Sequence, residues 1–130
     1  MNTLKTILSF VALSSILLGV TACGDNTKQT NTAASYVAGY YNSNPPPRDW
    51  AVLAVTPVPK DDRVLVQILV SAPNDIGKIK SISRMEQVAV AKLACPVVFP
   101  ELRDALGANL RVWVELRANN KTLVESVCPQ

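Results

Sequence analysis

From Leu110 to Arg117 the chain alternates without a break between aliphatic residues and charged or aromatic ones, and this period of two most constrains what the chain can fold into. Leu110, Val112, Val114 and Leu116 point one way. Arg111, Trp113, Glu115 and Arg117 point the other, which is the pattern of a strand with one buried face. Asn119 and Asn120 come next, and asparagine tolerates the positive φ values that a tight hairpin turn requires. Thr122 to Val127 is expected to return as the partner strand. The polar face of this hairpin would carry Trp113 beside Arg111 and Arg117, a candidate contact for a partner, because aromatic and arginine side chains dominate interface energetics.

Upstream, Ser83-Arg84-Met85-Glu86 reads as a capping box, with Glu86 reaching back to the first residue of a helix over 83–95. Starting that helix near Asp75 instead would place Glu86 inside the apolar stripe of Ile79, Ile82, Ala89, Val90 and Leu93. The later start avoids burying a charge and leaves a looser lead-in turn from Ile76. Pro96 ends the helix. A short helix is expected over Glu101 to Leu106, with Pro100 at its first position and Gly107 as its stop. Two strands precede these helices. Trp50 to Val55 is apolar and is expected to end at Thr56-Pro57-Val58-Pro59. After the charged turn Lys60-Asp61-Asp62, Arg63 to Val70 is apolar on both faces, which predicts a central strand covered on both sides or nearly so.

Residues 24–49 look like a tether. Gly24 to Ser35 is rich in Asn, Thr and Gln, and Pro45 to Pro47 stiffens the far end of the segment. As a coil those residues would span roughly 28 Å, and about 80 Å fully extended. Between them, Tyr36 to Tyr41 departs from this character. It either docks on the domain as an extra strand or offers Tyr40 and Tyr41 to a partner.

The first 22 residues have the three parts of a secretory signal: Lys5, an apolar stretch from Ile7 to Leu18, and small or β-branched residues from Gly19 to Ala22. The apolar stretch is shorter than the roughly 20 residues a stable membrane span needs. Val20-Thr21-Ala22-Cys23 resembles the lipobox of bacterial lipoprotein precursors. The resemblance implies diacylglycerol on the Cys23 sulfur, cleavage before Cys23 and an acyl chain, such as palmitate, on the new amino terminus. Two or three chains anchor durably where one does not. Gly24 stands where an aspartate would favour inner-membrane retention in that family, so the resemblance leans towards an outer-membrane anchor facing the periplasm.

With Cys23 lipidated, Cys95 and Cys128 remain as a pair in an oxidising compartment and read as a disulfide. Closing that loop contributes roughly 3–4 kcal/mol on the chain-entropy model. The pairing also bears on register. A plain two-residue hairpin loop sets Cys128 opposite Arg111, on the polar side. A bulge or a longer loop sets Ser126 opposite Val114 and Cys128 opposite Val112, on the apolar side, within reach of a helix packed there. The expected fold is therefore α+β, in the order β-β-α-(α)-β-β: an antiparallel sheet of about four strands, one main helix across a face, and one disulfide. The leader occupies 1–22, the lipidated tether 23–49 and the folded domain 50–130.

Composition narrows function. After cleavage the chain carries 12 basic and 10 acidic side chains in no cluster, which excludes a nucleic-acid binder by charge. The chain has no histidine, the commonest general base, and lacks zinc-ligand spacing, a phosphate loop and a nucleophile elbow. Asp61-Asp62 is a carboxylate pair, but it sits in a charged turn that it most simply keeps in water, and Glu86 has no second carboxylate at a matching spacing, so a carboxylate hydrolase is a minor reading. No catalytic residue, cofactor or metal is expected. The favoured function is a membrane-anchored, non-catalytic interaction or assembly domain with an envelope protein as partner. The alternative is a periplasmic binder or inhibitor of a soluble ligand or enzyme such as lysozyme, acting through the Thr56–Asp62 turn.

Overall fold

The computed structural model describes residues 24–130, so the leader and Cys23 lie outside the described residues. Helix α1 spans Gly24–Ser43 and strand β1 spans Ala51–Val58. A 3-10 turn at Pro59–Asp61 leads into β2, Arg63–Leu69. Helices α2 (Pro73–Ser81), α3 (Arg84–Lys92) and α4 (Pro100–Leu106) precede the hairpin of β3 (Arg111–Ala118) and β4 (Lys121–Val127). The four strands form one sheet in the order β1-β2-β3-β4. The α+β class, the four strands, the helical layer and the Cys95–Cys128 disulfide agree with the sequence expectation.

Strand direction refines that expectation. The outer pairs, β1/β2 and β3/β4, are antiparallel, whereas β2 and β3 run parallel in register from Arg63 opposite Arg111 to Leu69 opposite Arg117. A parallel pair needs a long crossover, and the three-helix segment between β2 and β3 supplies it. The sequence places both prolines of Thr56-Pro57-Val58-Pro59 outside the strand. In fact β1 runs on through Pro57, paired with Val64, because β1 is an edge strand with one side free of ladder bonds.

The largest departure concerns residues 24–43. They form a helix packed on β1, β2 and α4, not a tether, so the folded domain begins at α1 and not at Trp50. Thr30, Ala33, Ala34, Val37 and Tyr41 recur at the three- and four-residue spacing of a helix face, and all five are buried. Hydroxyls that would compete with the helix are satisfied within it: Thr30, Thr32 and Ser35 each donate to the carbonyl four residues back. Asn44 closes the last turn, its backbone N–H and its amide both donating to the Tyr40 carbonyl, and Pro45 forbids another turn. Tyr36 packs edge-to-face on Phe99 at 6.0 Å. The segment docks, but as a helix and not as a strand.

All four helices gather on one side of the sheet. Val64, Val66 and Ile68 of β2, Val112, Val114 and Leu116 of β3 and Val124 of β4 meet the helical residues Ala33, Val37, Ala91, Leu102 and Leu106 in a single core. Ser83 caps α3 by accepting from the Glu86 N–H, and Glu86 accepts from the Ser83 N–H, so the capping box forms as read. The lead-in is a separate helix, α2, with Pro73 in its first turn. Gly107 ends α4 at φ 58° and ψ −149°, a backbone region open essentially to glycine alone. A Cβ there would also meet the Gln29 amide nitrogen at 3.0 Å.

The hairpin takes the register that the disulfide demanded. Asn119 and Asn120 form the turn at φ 50° and 61°, and a bulge at Leu116/Arg117 sets Ser126 opposite Val114. Cys128 N–H then donates to Val112 O at 2.8 Å, and Cys128 bonds to Cys95 with Cα atoms 5.6 Å apart. The integral role of α1 is testable. Val37→Asp buries a charge and is expected to cost more than about 3 kcal/mol in urea denaturation monitored by circular dichroism. Asn31→Asp, on the exposed side of the same helix and away from its C-terminal end, is expected to stay within about 0.5 kcal/mol of wild type.

Candidate interaction surface

Period two decides what the other side of the sheet carries. With even-numbered residues of β2 and β3 in the core, Arg63, Leu65, Gln67 and Leu69 share the opposite face with Arg111, Trp113, Glu115 and Arg117. β2 is central, as expected, but among the described residues no element covers this second face, which corrects the expectation of cover on both sides. Leu65, Leu69 and Trp113 are half-buried there by their own neighbours.

Cross-strand register turns these residues into rows. Thr56, Leu65, Trp113 and Val127 stand side by side across all four strands, and the last three make an apolar band. On one flank of the band lie Arg63 and Arg111, and on the other Gln67, Glu115 and Glu125. Arg63 crosses the band. Its guanidinium lies 5.6 Å from the centre of the Trp113 ring, and its Nη1 donates to Glu125 Oε1 at 2.7 Å. Asp61 adds a longer contact at 3.8 Å. The buried Arg63 Nε has no acceptor among the described residues. A guanidinium stacked on tryptophan and fixed by a carboxylate is the arrangement in which arginine is worth most at an interface.

Glu115 is the most buried charge on this face. Gln67 donates to its Oε2 at 2.9 Å, Arg117 to its Oε1 at 3.1 Å, and the Thr122 hydroxyl also donates to Oε1. Burial pushes the carboxyl up. The hydrogen bonds from Thr122 and Gln67 and the charges of Arg117 and Arg63 outweigh it and hold Glu115 below the ordinary carboxylate value. Arg117 also donates to the Asn120 carbonyl, so the same group braces the hairpin turn.

The residues singled out from the sequence divide between the two sides of the sheet. Trp113, Arg111 and Arg117 share the open face, although the Arg111 guanidinium is engaged with the carbonyls of Ala108 and Leu110. Tyr40 and Tyr41 belong to the helical layer on the other side. Tyr41 is buried and donates to Ala94 O, and burial together with Tyr40 pushes its phenol well above the ordinary value, so it is a core strut and no free partner contact. Glu86 is exposed, and its hydrogen bonds to Ser83 keep its carboxyl low. Arg63, Gln67, Thr122 and Glu125 were missed, since only strand register brings them to Trp113.

Two hollows lie elsewhere. One, of about 160 Å³, sits beside Trp50, whose Nε1 donates to Asp75 Oδ2 at 3.3 Å while Arg48 pairs with Oδ1 at 2.8 Å. The other, of about 680 Å³, lies between the start of α1 and the turn after β1. There Asn26 ties the Thr56–Asp62 segment down, donating to Pro59 O and Asp62 Oδ1, both at 2.8 Å, so this turn is braced against α1. Among the described residues no group of three or more His, Cys, Asp or Glu side chains is placed to hold a metal ion.

The Glu115 network has a pH signature. Its folded pKa lies below the ordinary 4.5, so the unfolded chain takes up the proton first. The stability it contributes is complete above the ordinary value and is lost as pH falls through the folded one. Glu115→Gln is expected to lose less stability than wild type between about pH 5 and about pH 3, read as the shift in urea midpoint. Identical acid limbs would assign the acid sensitivity to other groups.

Compared with known proteins, the chain matches no family model, no curated protein and no solved structure.

Proposed function

We propose that this chain is a lipid-anchored interaction domain of the bacterial envelope, held by acylated Cys23, facing the periplasm from the outer membrane and working by binding a partner protein without catalysis. The observation that carries the reading is the open sheet face: an apolar band through Leu65, Trp113 and Val127 between charged flanks, with no described element over it. A sheet with one bare face is ordinary when that face is polar. This one carries a tryptophan with an arginine stacked on it at the middle of the sheet, and Val127 is 38% exposed beside it. Such a centre, apolar and ringed by fixed charge, has the anatomy of an interface core.

The anchor enters through the lipobox, and among the described residues no helix is long and apolar enough to cross a membrane. The inhibitor alternative would act through the Thr56–Asp62 turn, which Asn26 holds in place.

Three measurements test the reading. Cys23→Ser is expected to move the protein from the membrane fraction to the soluble envelope fraction and to abolish palmitate labelling. A photoreactive residue at Leu65 is expected to crosslink a partner in cells, whereas one at Met85 on the helical side is not. With that partner in hand, Trp113→Ala is expected to cost at least about 2 kcal/mol of binding, roughly thirtyfold in Kd, measured well below the urea midpoint, which loss of the Arg63 contact lowers. Crosslinks from Met85 alone would move the interface to the helices.

A further inference from the structure

Lipid-anchored domains stand off the bilayer when a long tether precedes them, and here the segment that would serve as one is folded. Asn26, three residues after Cys23, is fixed to the domain by its two hydrogen bonds to Pro59 and Asp62. One turn further on, Gln29 donates to the carbonyls of Ala105 and Leu106 at the end of α4. Three peptide units reach about 10 Å at most. A phospholipid headgroup layer is itself roughly 5–8 Å deep. Acyl chains seated in the hydrocarbon therefore leave the domain only a few ångströms of free leash.

We propose that the end of the domain built by the start of α1 and the β1–β2 turn is a bilayer-facing surface, pressed on the phospholipid headgroups by this short leash. The inference rests on the lipid-anchored reading and adds an orientation to it. The α4–β3 connection lies at the same end, since Arg111 N–H donates to Asp62 O at 3.0 Å. The Asn119–Asn120 tip lies at the other end of β3, about 25 Å away for a strand of this length. Lys60, exposed in the turn, thus faces headgroups, and Lys121, exposed beside the tip, faces away. The bilayer end carries both signs of charge, Lys28, Lys60 and Arg111 with Asp61 and Asp62. Covalent restraint, not attraction to anionic lipid, holds the surface in place, so salt leaves it unchanged. The open sheet face then points sideways along the membrane, towards a partner that is itself close to the bilayer.

The test uses the full-length acylated protein in phosphatidylcholine vesicles, an impermeant amine reagent and mass spectrometry to read each lysine. The comparison protein carries about 20 Gly/Ser residues inserted between Cys23 and Gly24, long enough to free the domain from the surface. Lys60 is expected to react several-fold more slowly in the wild type than in the inserted protein, with Lys121 equal in both. The difference is expected to persist at about 0.5 M salt, where surface electrostatics are screened. Equal Lys60 rates in two proteins that both float with vesicles would overturn the orientation while leaving the anchor standing. A Lys60 difference that vanishes in salt would overturn the leash and replace it with electrostatic adhesion. An unmodified Cys23 with no flotation would overturn the anchored reading itself, and with it this inference.

Discussion

Burial of one sheet face under α1 is the constraint on which the rest of the structure depends. β1 and β2 offer Val52, Val55, Val64, Val66 and Ile68 to that side, and α1 covers them with Ala33 and Val37, while Leu102 and Leu106 of α4 join the same core beside α1. An isolated helix of the α1 sequence, rich in Asn and Thr, would be marginal in water. Its helicity comes from the docking, and the docking in turn gives half of the sheet its cover. The other half is covered by α3, whose end is held by Tyr41 through the Ala94 carbonyl and by Cys95 through the disulfide to β4. The phenol thus links the two halves of the helical layer, and the disulfide ties the α3 half to the sheet.

Features governed by local chemistry were legible in the sequence. The capping box at Ser83, the stop at Gly107 and the Asn-Asn turn each need only a few neighbouring residues. Even the register of the last hairpin could be inferred, because period two and the reach of a disulfide together allow only one side for Cys128. Three features were not legible. The parallel β2/β3 pair was missed because the clean alternation of β3 reads as an antiparallel strand, although the helical crossover before it is what a parallel pair needs. Polar composition masked α1, although the spacing of Ala33, Val37 and Tyr41 was there to be read. Leu65 and Leu69 suggested a second covering layer, whereas neighbours within a sheet face half-bury such residues unaided.

The candidate surface divides in the same way. Trp113 and its flanking arginines belong to one strand and could be read from alternation alone. Arg63 on β2 and Glu125 on β4 are 62 residues apart in sequence and meet across Trp113 only because β3 lies between their strands. This geometry bears on how the surface would work. Most charges on it are already paired within the sheet, Arg63 with Glu125 and Arg117 with Glu115, so a partner need not neutralise bare charge. Desolvating a paired, hydrogen-bonded group costs less than desolvating a free one. The band itself supplies apolar area, while the rigid flanks reject partners whose polar groups do not match.

Rigid flanks and a short leash reinforce each other. A flexible tether would let the face sample all directions, and the ordering it lost on binding would count against affinity. With α1 folded up to Asn26, a lipid-anchored form of this domain has little rotational freedom left to lose, and its search for a partner is confined to the membrane plane. The same folding opposes reach: unwinding the first turn breaks the Asn26 and Gln29 hydrogen bonds, and unwinding the whole of α1 exposes Val37 and Tyr41 and uncovers β1 and β2. Reach and stability are therefore exclusive in this fold, and a partner that must be met far from the bilayer would have to come to the domain.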